Sequence, residues 1–148
     1  YCYANNVLGQ VIRRIADNYP YLVLDNEAGL ENLSRRIVKE IDLFILITDP
    51  SQQGLKTARR LVKLAEEMDI RHRSLARVAN RLRSSNTASI NELARHLQAD
   101  YSVSVPADDE LAAYAEEGRS LSMLPENNPV VAALDSLLEQ AVPAGAPT

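Results

Sequence analysis

The sequence predicts an α/β fold, a parallel sheet flanked by helices, and two observations carry that prediction. Short apolar segments alternate with segments in which apolar residues recur at helical spacing, which is the order expected of strands joined by helices. The strongest apolar segment, LFILI at residues 43–47, is continuous and is closed by Pro50. Continuous apolarity is typical of a strand buried on both faces, as in a parallel sheet between helical layers.

In the first third of the chain the pattern predicts a helix, a strand, a second helix and the strongest strand. Residues 5–19 place Val7, Val11 and Ile15 on one helical face. The run YLVLD at residues 21–25 predicts a short strand that ends abruptly in polar residues and a glycine. A helix is predicted over residues 31–41, and the strand containing LFILI over residues 42–50.

The remaining two thirds continue the alternation. A long amphipathic helix is predicted at 51–68, followed by a weaker strand at 74–80, a polar loop at 84–89, a short helix at 90–97 and a strand at 101–106. Helices near 110–117 and 130–140 complete a single domain over residues 1–142. Residues 143–148 are expected to form a disordered tail.

Composition restricts the function classes. The chain has 148 residues, a net charge of −4 and one cysteine, which rules out an internal disulfide framework and favours a reducing compartment, with cytoplasm the best expectation. It has no apolar run long enough to span a bilayer. Between Lys56 and Arg95 there are ten Lys or Arg against four Asp or Glu. This basic stretch is typical of solvated helix faces and, less often, of a nucleic-acid or acidic-partner surface.

Polar residues at the ends of predicted strands are the candidates for chemistry, because function in parallel sheets collects at the carboxyl edge. Asp25 follows an apolar strand and precedes Gly29, an arrangement that suits a magnesium ion and a γ-phosphate. Asn80 and Arg81 follow another strand, and an Asn amide can read the edge of a purine. Each of these residues is also a common turn former, so neither motif alone decides the matter.

Cys2 is the sharpest single candidate for a metal ligand. A lone cysteine is usually a small buried apolar residue, but one at a chain terminus could supply a thiolate to a soft-metal site whose other ligands come from elsewhere. His72 lies among arginines and His96 on a predicted helix surface, so neither is expected to bind metal. The chain has no Gly-x-x-x-x-Gly-Lys-Ser/Thr loop, and we therefore do not expect it to bind or hydrolyse ATP efficiently as it stands.

Five motifs together resemble one family: YCYANN, LVLDNEAGLENLSRR, ITDPS, ANR and VPADDELAAYAEEGRSL. They are similar, in the same order, to the CooC-type maturation ATPases of nickel carbon monoxide dehydrogenase, which are relatives of the MinD/ParA/Mrp P-loop ATPases. The resemblance implies that this chain is the rear portion of such a domain, whose deviant Walker A loop lies outside it. Tyr1-Cys2 then corresponds to the end of a Cys-Tyr-Cys motif.

The resemblance also implies roles for individual residues. Asp25 corresponds to a magnesium-coordinating aspartate, Gly29 to a γ-phosphate-sensing glycine, and the switch residues between them are Asn26, Glu27 and Ala28. The resemblance places Asn80 and Arg81 near the adenine, and residues 106–108, including Pro106 and Asp108, in a loop that packs on the base. Cys2 would bind nickel or zinc together with thiolates of a second subunit. Arg77 departs from the apolar strand of the family, so this strand is expected to be exposed, paired or displaced.

The function that these residues imply is part of an ATP-dependent nickel-insertion factor. In the whole protein, ATP and Mg²⁺ would close a homodimer, hydrolysis would reopen it, and metal would pass to carbon monoxide dehydrogenase. The resemblance also implies that the missing phosphate-loop strand should lie between LVLD and LFILI. A ParA/MinD-like partitioning ATPase and a non-enzymatic α/β receiver or interaction domain remain the alternatives. Membrane and nucleic-acid partners are not expected.

Overall fold

The computed structural model describes residues 2–26 (without the side chains of 2–6, 8 and 13), 40–83, 91, 95 and 97–142. In chain order the elements are α1 (Cys2–Ala16), β1 (Glu40–Thr48), α2 (Gln52–Glu67), β2 (Arg71–Leu82), β3 (Tyr101–Pro106), α3 (Asp109–Glu116), a 3-10 turn (Leu121–Met123) and α4 (Pro129–Ala141). The predicted loop at 84–89, most of the predicted helix at 90–97 and the tail at 143–148 lie outside the described residues.

The sheet confirms the predicted parallel α/β architecture. Its three strands lie in the order β1-β2-β3, and both neighbouring pairs are parallel. Phe44 of β1 is in register with Leu75 of β2, and Val78 of β2 with Val103 of β3. All three carboxyl ends therefore meet at one edge, and β1 forms an outer strand of the sheet within the described part of the chain.

Each face of the sheet carries its own apolar core. On one face α2 packs through Leu55 and Ala58, both 1% exposed, against Leu46, Leu75 and Ala79. On the other face α4 packs against β2 and β3. The residues of this second core are Ala76, Val78, Val105, Val130 and Leu137. The centre of β2 is buried on both faces. The same burial expected for the continuous apolar run of β1 is wrong, because Ile45 and Ile47 are 40% and 62% exposed.

Arg77 interrupts β2 and is accommodated by hydrogen bonds. Its Nη1 donates to the Leu97 carbonyl at 2.8 Å, and its Nε and Nη2 donate to the Ser102 hydroxyl at 3.2 and 2.7 Å. Partial burial lowers the pKa of the guanidinium from its usual value. Of the three expectations for this strand, pairing is the one that the structure adopts.

The predicted strand at residues 21–25 is wrong. Residues 21–26 have neither strand nor helix structure, and Val23 is 86% exposed. An isolated apolar segment becomes a strand only when a neighbouring strand supplies hydrogen-bond partners. No described strand pairs with residues 21–25.

The boundary predicted between the second helix and the strongest strand is also wrong. Glu40 and Ile41 belong to β1, because they pair with Arg71 and His72 at the start of β2. The rest of the helix predicted at 31–41 lies outside the described residues. In the part of the chain that the structure describes, no helix is long and apolar enough to cross a membrane.

The junction between β1 and α2 is packed too closely for any residue larger than glycine at position 54. A Cβ on Gly54 would lie 2.5 Å from Asp49 Oδ1, 2.8 Å from the Asp49 carbonyl oxygen and 2.9 Å from Thr48 Oγ1. Ser51 caps the helix, since its hydroxyl accepts a hydrogen bond from the Gly54 N–H at 2.9 Å. The first turn of α2 is thus held directly against the carboxyl end of β1.

We expect Gly54→Ala to lower the free energy of unfolding by about 1–3 kcal/mol, because the new methyl group would displace both Asp49 and Thr48 from α2. Urea unfolding followed by circular dichroism measures the change. Gln53→Ala, an exposed neighbour in the same turn, serves as the control and should change little. A stabilised Gly54→Ala variant, the usual result for a glycine inside a helix, would contradict this packing.

Candidate functional site at the carboxyl edge of the sheet

The carboxyl edge brings together four of the residues singled out from the sequence. Asn80 and Arg81 lie near the end of β2, Pro106 ends β3, and Asp108 caps α3. Leu82 is in register with Pro106, and the Ala107 N–H donates to the Leu82 carbonyl at 2.8 Å. The ends of β2 and β3 are therefore joined by hydrogen bonds, and the loops that follow them start side by side.

A bulge shapes the end of β2. The pairing of β2 with β3 shifts between Ala79 and Leu82, and Arg81 adopts a positive φ of 57°. Asn80 stabilises this conformation, because its Oδ1 accepts a hydrogen bond from the Arg81 N–H at 2.9 Å. A left-handed conformation at a residue other than glycine is strained and concentrates at functional positions. With its oxygen engaged, Asn80 has its amide N–H groups available to a ligand.

Asp49 follows the end of β1 and lies within the electrostatic influence of Arg81 in this bulge. Its Oδ1 accepts a hydrogen bond from the Ser51 N–H at 2.9 Å. Hydrogen bonds from Ser51 are the main cause that lowers the pKa of Asp49 below 3.8, and the positive charge of Arg81 adds to them. Thr48 is in register with Ala79, which places Asp49 level with the start of the bulge. The three strand ends thus form one polar edge.

Asp108 holds the start of α3 and contacts the loop before α4. Its Oδ1 accepts hydrogen bonds from the Leu111 N–H at 2.7 Å and from Asn128 Nδ2 at 3.1 Å, and the first of these is the main cause that lowers its pKa. Asn128, which is buried, also donates to Glu110 Oε2 at 3.0 Å and caps α4 by accepting from the Val130 N–H at 2.9 Å. One amide therefore fixes the first turns of both helices.

An open hollow of about 270 Å³ lies beside this edge, between the end of β1 and α2. Its polar wall comes from Thr48, Asp49, Ser51 and Thr57, and its apolar wall includes Leu61. The hollow faces the outer side of β1, where Ile47 is 62% exposed. It is large enough for a side chain or a small molecule, and the described residues leave it open to solvent.

The candidate switch residues are described only in part. Asp25 is exposed, and the Asn26 side chain donates to the Leu24 carbonyl at 3.3 Å. Glu27, Ala28 and Gly29 lie outside the described residues, so the predicted switch segment cannot be placed.

Neither the predicted metal ligand nor the two histidines form a described metal site. Cys2 begins α1, but its side chain is not among the described ones. His72 lies against Phe44, with ring centroids 5.8 Å apart, and His96 is not described. Within the described ranges, no cluster of three or more His, Cys, Asp or Glu side chains could hold a metal ion.

Two residues of the edge had no role assigned from the sequence. Asp49 lies in the ITDPS motif, but only the close approach of α2 reveals that its carboxylate braces a helix. Asn128 precedes a proline and an apolar helical run, and such a pattern predicts a helix cap. Its contacts with Asp108 and Glu110, by contrast, depend on tertiary packing and carry no sequence signal.

The chain is similar to proteins described as ATP-binding and to MinD. No family model matches it. It is 38% identical over 142 residues, 96% of its length, to an uncharacterized ATP-binding protein of Methanocaldococcus jannaschii, and covers 56% of that protein. It is 28% identical over 128 residues to the septum site-determining protein MinD of Bacillus subtilis, covering 82% of this chain and 47% of that protein.

A further relative and a solved structure agree. The chain is 29% identical over 99 residues to the carbon monoxide dehydrogenase accessory protein CooC of Rhodospirillum rubrum, covering 67% of this chain and 36% of that protein. Its fold matches the MinD cell division protein of Aquifex aeolicus with a TM-score of 0.78 and 21% identity, covering 97% of this chain and 62% of that one. The chain is related to the MinD- and CooC-like P-loop ATPases.

Similarity to MinD-like proteins confirms the fold and the broader resemblance, while the CooC resemblance itself is distant. The chain spans about half the length of the curated relatives that it matches. The matched region of 142 residues includes the carboxyl edge. The roles predicted for individual residues at this edge stay predictions.

We expect Asp108→Asn to lower stability at pH 7 and to lower it by a smaller amount at pH 3. The lowered pKa means that ionised Asp108 stabilises the fold above its unfolded value near 3.8, and this contribution is lost as the pH falls through the lower folded value. Urea midpoints at both pH values measure it. Asp135→Asn on the exposed side of α4 is the control. An equal loss at both pH values would show that the charge of Asp108 is irrelevant.

Proposed function

We propose that this chain is the rear part of an ATP-binding P-loop ATPase and that the carboxyl edge of its sheet binds the nucleotide base. The observation that carries the proposal is the juxtaposition of Asn80 and Arg81 with Pro106 through the pairing of Leu82 with Pro106. The relation to an ATP-binding protein over nearly the whole chain supports it. That relative is longer than this chain, so ATP hydrolysis by a whole protein is also part of what we propose.

The edge offers the two kinds of contact that a purine requires. Asn80 presents its amide N–H groups, since its oxygen already accepts the Arg81 N–H, and these can donate to a ring nitrogen. The half-buried ring of Pro106 offers an apolar surface for a base face. Asp108 contributes indirectly, because its hydrogen bonds to Leu111 and Asn128 fix the loop that follows Pro106.

In this proposal the phosphates of ATP are bound by the other candidate segment, residues 25–29. Bound ATP supplies the phosphate oxygens and Mg²⁺ the positive charge for hydrolysis. Asp25 would hold the Mg²⁺ ion, and Gly29 would contact the γ-phosphate. Asn26, Glu27 and Ala28 would then move with the state of the nucleotide.

We expect Asn80→Ala to weaken ATP binding by the protein of the complete reading frame about tenfold, the effect of losing one or two hydrogen bonds to the base. Titration with a fluorescent ATP analogue measures the affinity. Ser104→Ala in the neighbouring strand is the matched control. Unchanged ATP affinity in Asn80→Ala would show that the base does not bind at this edge. Absence of ATP binding by the unmodified protein would refute the ATPase assignment.

A finer proposal makes the protein a metal-insertion factor of the CooC kind. It is supported by the similarity to the CooC protein over 67% of the chain and by the cysteine that begins α1. Cys2 of two subunits would supply thiolates to nickel or zinc at a dimer interface, and a nickel carbon monoxide dehydrogenase would receive the metal. Thiolates suit both metals.

Cys2→Ser in the complete protein should lower the amount of nickel or zinc bound per dimer, and should leave ATP affinity within about twofold. Metal analysis after gel filtration, with ATP and with ADP, measures both the stoichiometry and its dependence on nucleotide. Cys2 is the single cysteine of this chain, so other thiols must be counted separately. Equal metal content in the two proteins would rule out a Cys2 ligand.

A MinD/ParA-like partitioning ATPase is the second candidate, and the similarity to MinD of B. subtilis favours it to the same extent. The two candidates differ in what ATP controls. A partitioning ATPase would bind DNA or lipid vesicles only in its ATP state and would lose DNA with rising salt. A metal-insertion factor would show nucleotide-dependent metal release and no such binding.

A further inference from the structure

Asn128 makes more hydrogen bonds than the cap of a helix requires. Its Oδ1 accepts from the Val130 N–H at 2.9 Å, and this contact by itself caps α4. Its Nδ2 donates to Asp108 Oδ1 at 3.1 Å and to Glu110 Oε2 at 3.0 Å. Ser and Asp cap a helix about as well as Asn does, but neither carries two N–H donors. Capping alone therefore does not explain why this residue is an amide.

The two donors of this amide hold two carboxylates together. Asp108 and Glu110 both accept from the same nitrogen, so their side chains converge on one point. Two carboxylates that converge without a donor between them repel each other. Asn128 is 3% exposed, and leaving its buried donors without partners would also be costly. The amide therefore determines how the start of α3 lies against the start of α4.

The loop that follows Pro106 is held at two consecutive residues. The Ala107 N–H donates to the Leu82 carbonyl at 2.8 Å, which ties the loop to the end of β2. Asp108, the next residue, accepts the hydrogen bond from Asn128. The first contact belongs to the sheet and the second to the segment before α4. Loss of the second would leave the loop attached to β2 alone on this side.

The packing of α4 makes it a fixed anchor for this loop. Val130 in its first turn belongs to the same apolar core as Val105, the residue of β3 that precedes Pro106. Asn128 is joined to the helix, because its carbonyl accepts the Ala132 N–H at 3.0 Å. The position of α4 on the sheet is thus passed through Asn128 to the loop beside the candidate base site.

We propose that Asn128 is a positioning residue of the nucleotide site, which acts through Asp108 to hold the loop after Pro106 in the position that receives the base. This inference rests on the function proposed above, in which Asn80 and Pro106 contact the base. Asn128 itself touches no part of the nucleotide. Its two amide donors, and not only its capping oxygen, are then required for full ATP affinity.

The first test compares two variants of the protein of the complete reading frame. Asn128→Ser keeps a capping oxygen for α4 but removes both amide donors, and it should weaken binding of a fluorescent ATP analogue about fivefold. Ala133→Gly lowers the stability of the same helix from its interior, and its ATP affinity should stay within about twofold. Melting temperatures are measured for both. Losses of affinity that follow the melting temperature alike in the two variants would overturn the proposal.

An exchange of the two side chains tests the contact itself. Asn128→Asp places a third carboxylate against Asp108 and Glu110 and should weaken ATP binding about tenfold. Adding Asp108→Asn puts an amide opposite a carboxylate again, and Asn and Asp cap helices about equally well. The double variant should therefore bind ATP at least about threefold more tightly than Asn128→Asp alone. If the double variant binds as weakly or more weakly, the two positions act independently and the proposal fails.

The unmodified protein and Asn80→Ala separate this inference from the function on which it rests. Absence of ATP binding by the unmodified protein would refute both. If the unmodified protein binds ATP and Asn80→Ala weakens that binding while Asn128→Ser leaves it unchanged, the base site stands and the positioning role of Asn128 alone is refuted. Weaker binding in both Asn80→Ala and Asn128→Ser, with recovery in the exchanged pair, is the result that we expect.

Discussion

Both apolar cores of this protein depend on β2, the one strand of the described sheet that is hydrogen-bonded on both sides. Leu75 and Ala79 face α2, while Ala76 and Val78 face α4, so alternate residues of one strand serve two separate layers. Ala76 is completely buried. Arg77 lies between these positions and satisfies its donors on Leu97 and Ser102. A one-residue slip in this strand would exchange the two faces and disrupt both cores at once.

The same strand determines the geometry of the candidate site. Regular pairing continues through Ala79 and then breaks, so Asn80 and Arg81 leave the ladder where it meets the loops. The strain of the positive φ at Arg81 is offset by the Asn80 side chain. On either side, Asp49 and Asp108 have their carboxylates engaged by the first turns of α2 and α3. The edge is therefore held by hydrogen bonds on both sides of one strained residue.

Sequence patterns predicted the elements that have a clear local pattern of apolar residues. They failed where pairing with another strand determines whether a segment becomes a strand and where it ends. The strand at 42–50 was found from its continuous apolar run. The strand at 101–106 and the helices after Pro50 and near the carboxyl end were found from their periodicity. The run YLVLD has the same apolarity, yet it forms no strand, since hydrogen bonding in a sheet is a property of two strands. Pairing also extended β2 to Arg71–Leu82, beyond the predicted 74–80, and drew Glu40 and Ile41 into β1. For the site, the sequence indicated Asn80, Arg81, Pro106 and Asp108 as candidates but could not show that their loops are adjacent.

By itself the sequence determined the α/β class, the order of most elements and the kinship with MinD- and CooC-like ATPases, because these depend on local periodicity and on motifs that lie within short segments. The tertiary structure decided the features that require two distant segments to meet. Gly54 lies against Asp49 because α2 approaches β1 more closely than a Cβ allows. Asn128 bridges Asp108 and Glu110 because two helices begin side by side. Such contacts form between parts of the chain that are far apart in sequence, and they cannot be predicted from composition or from residue spacing.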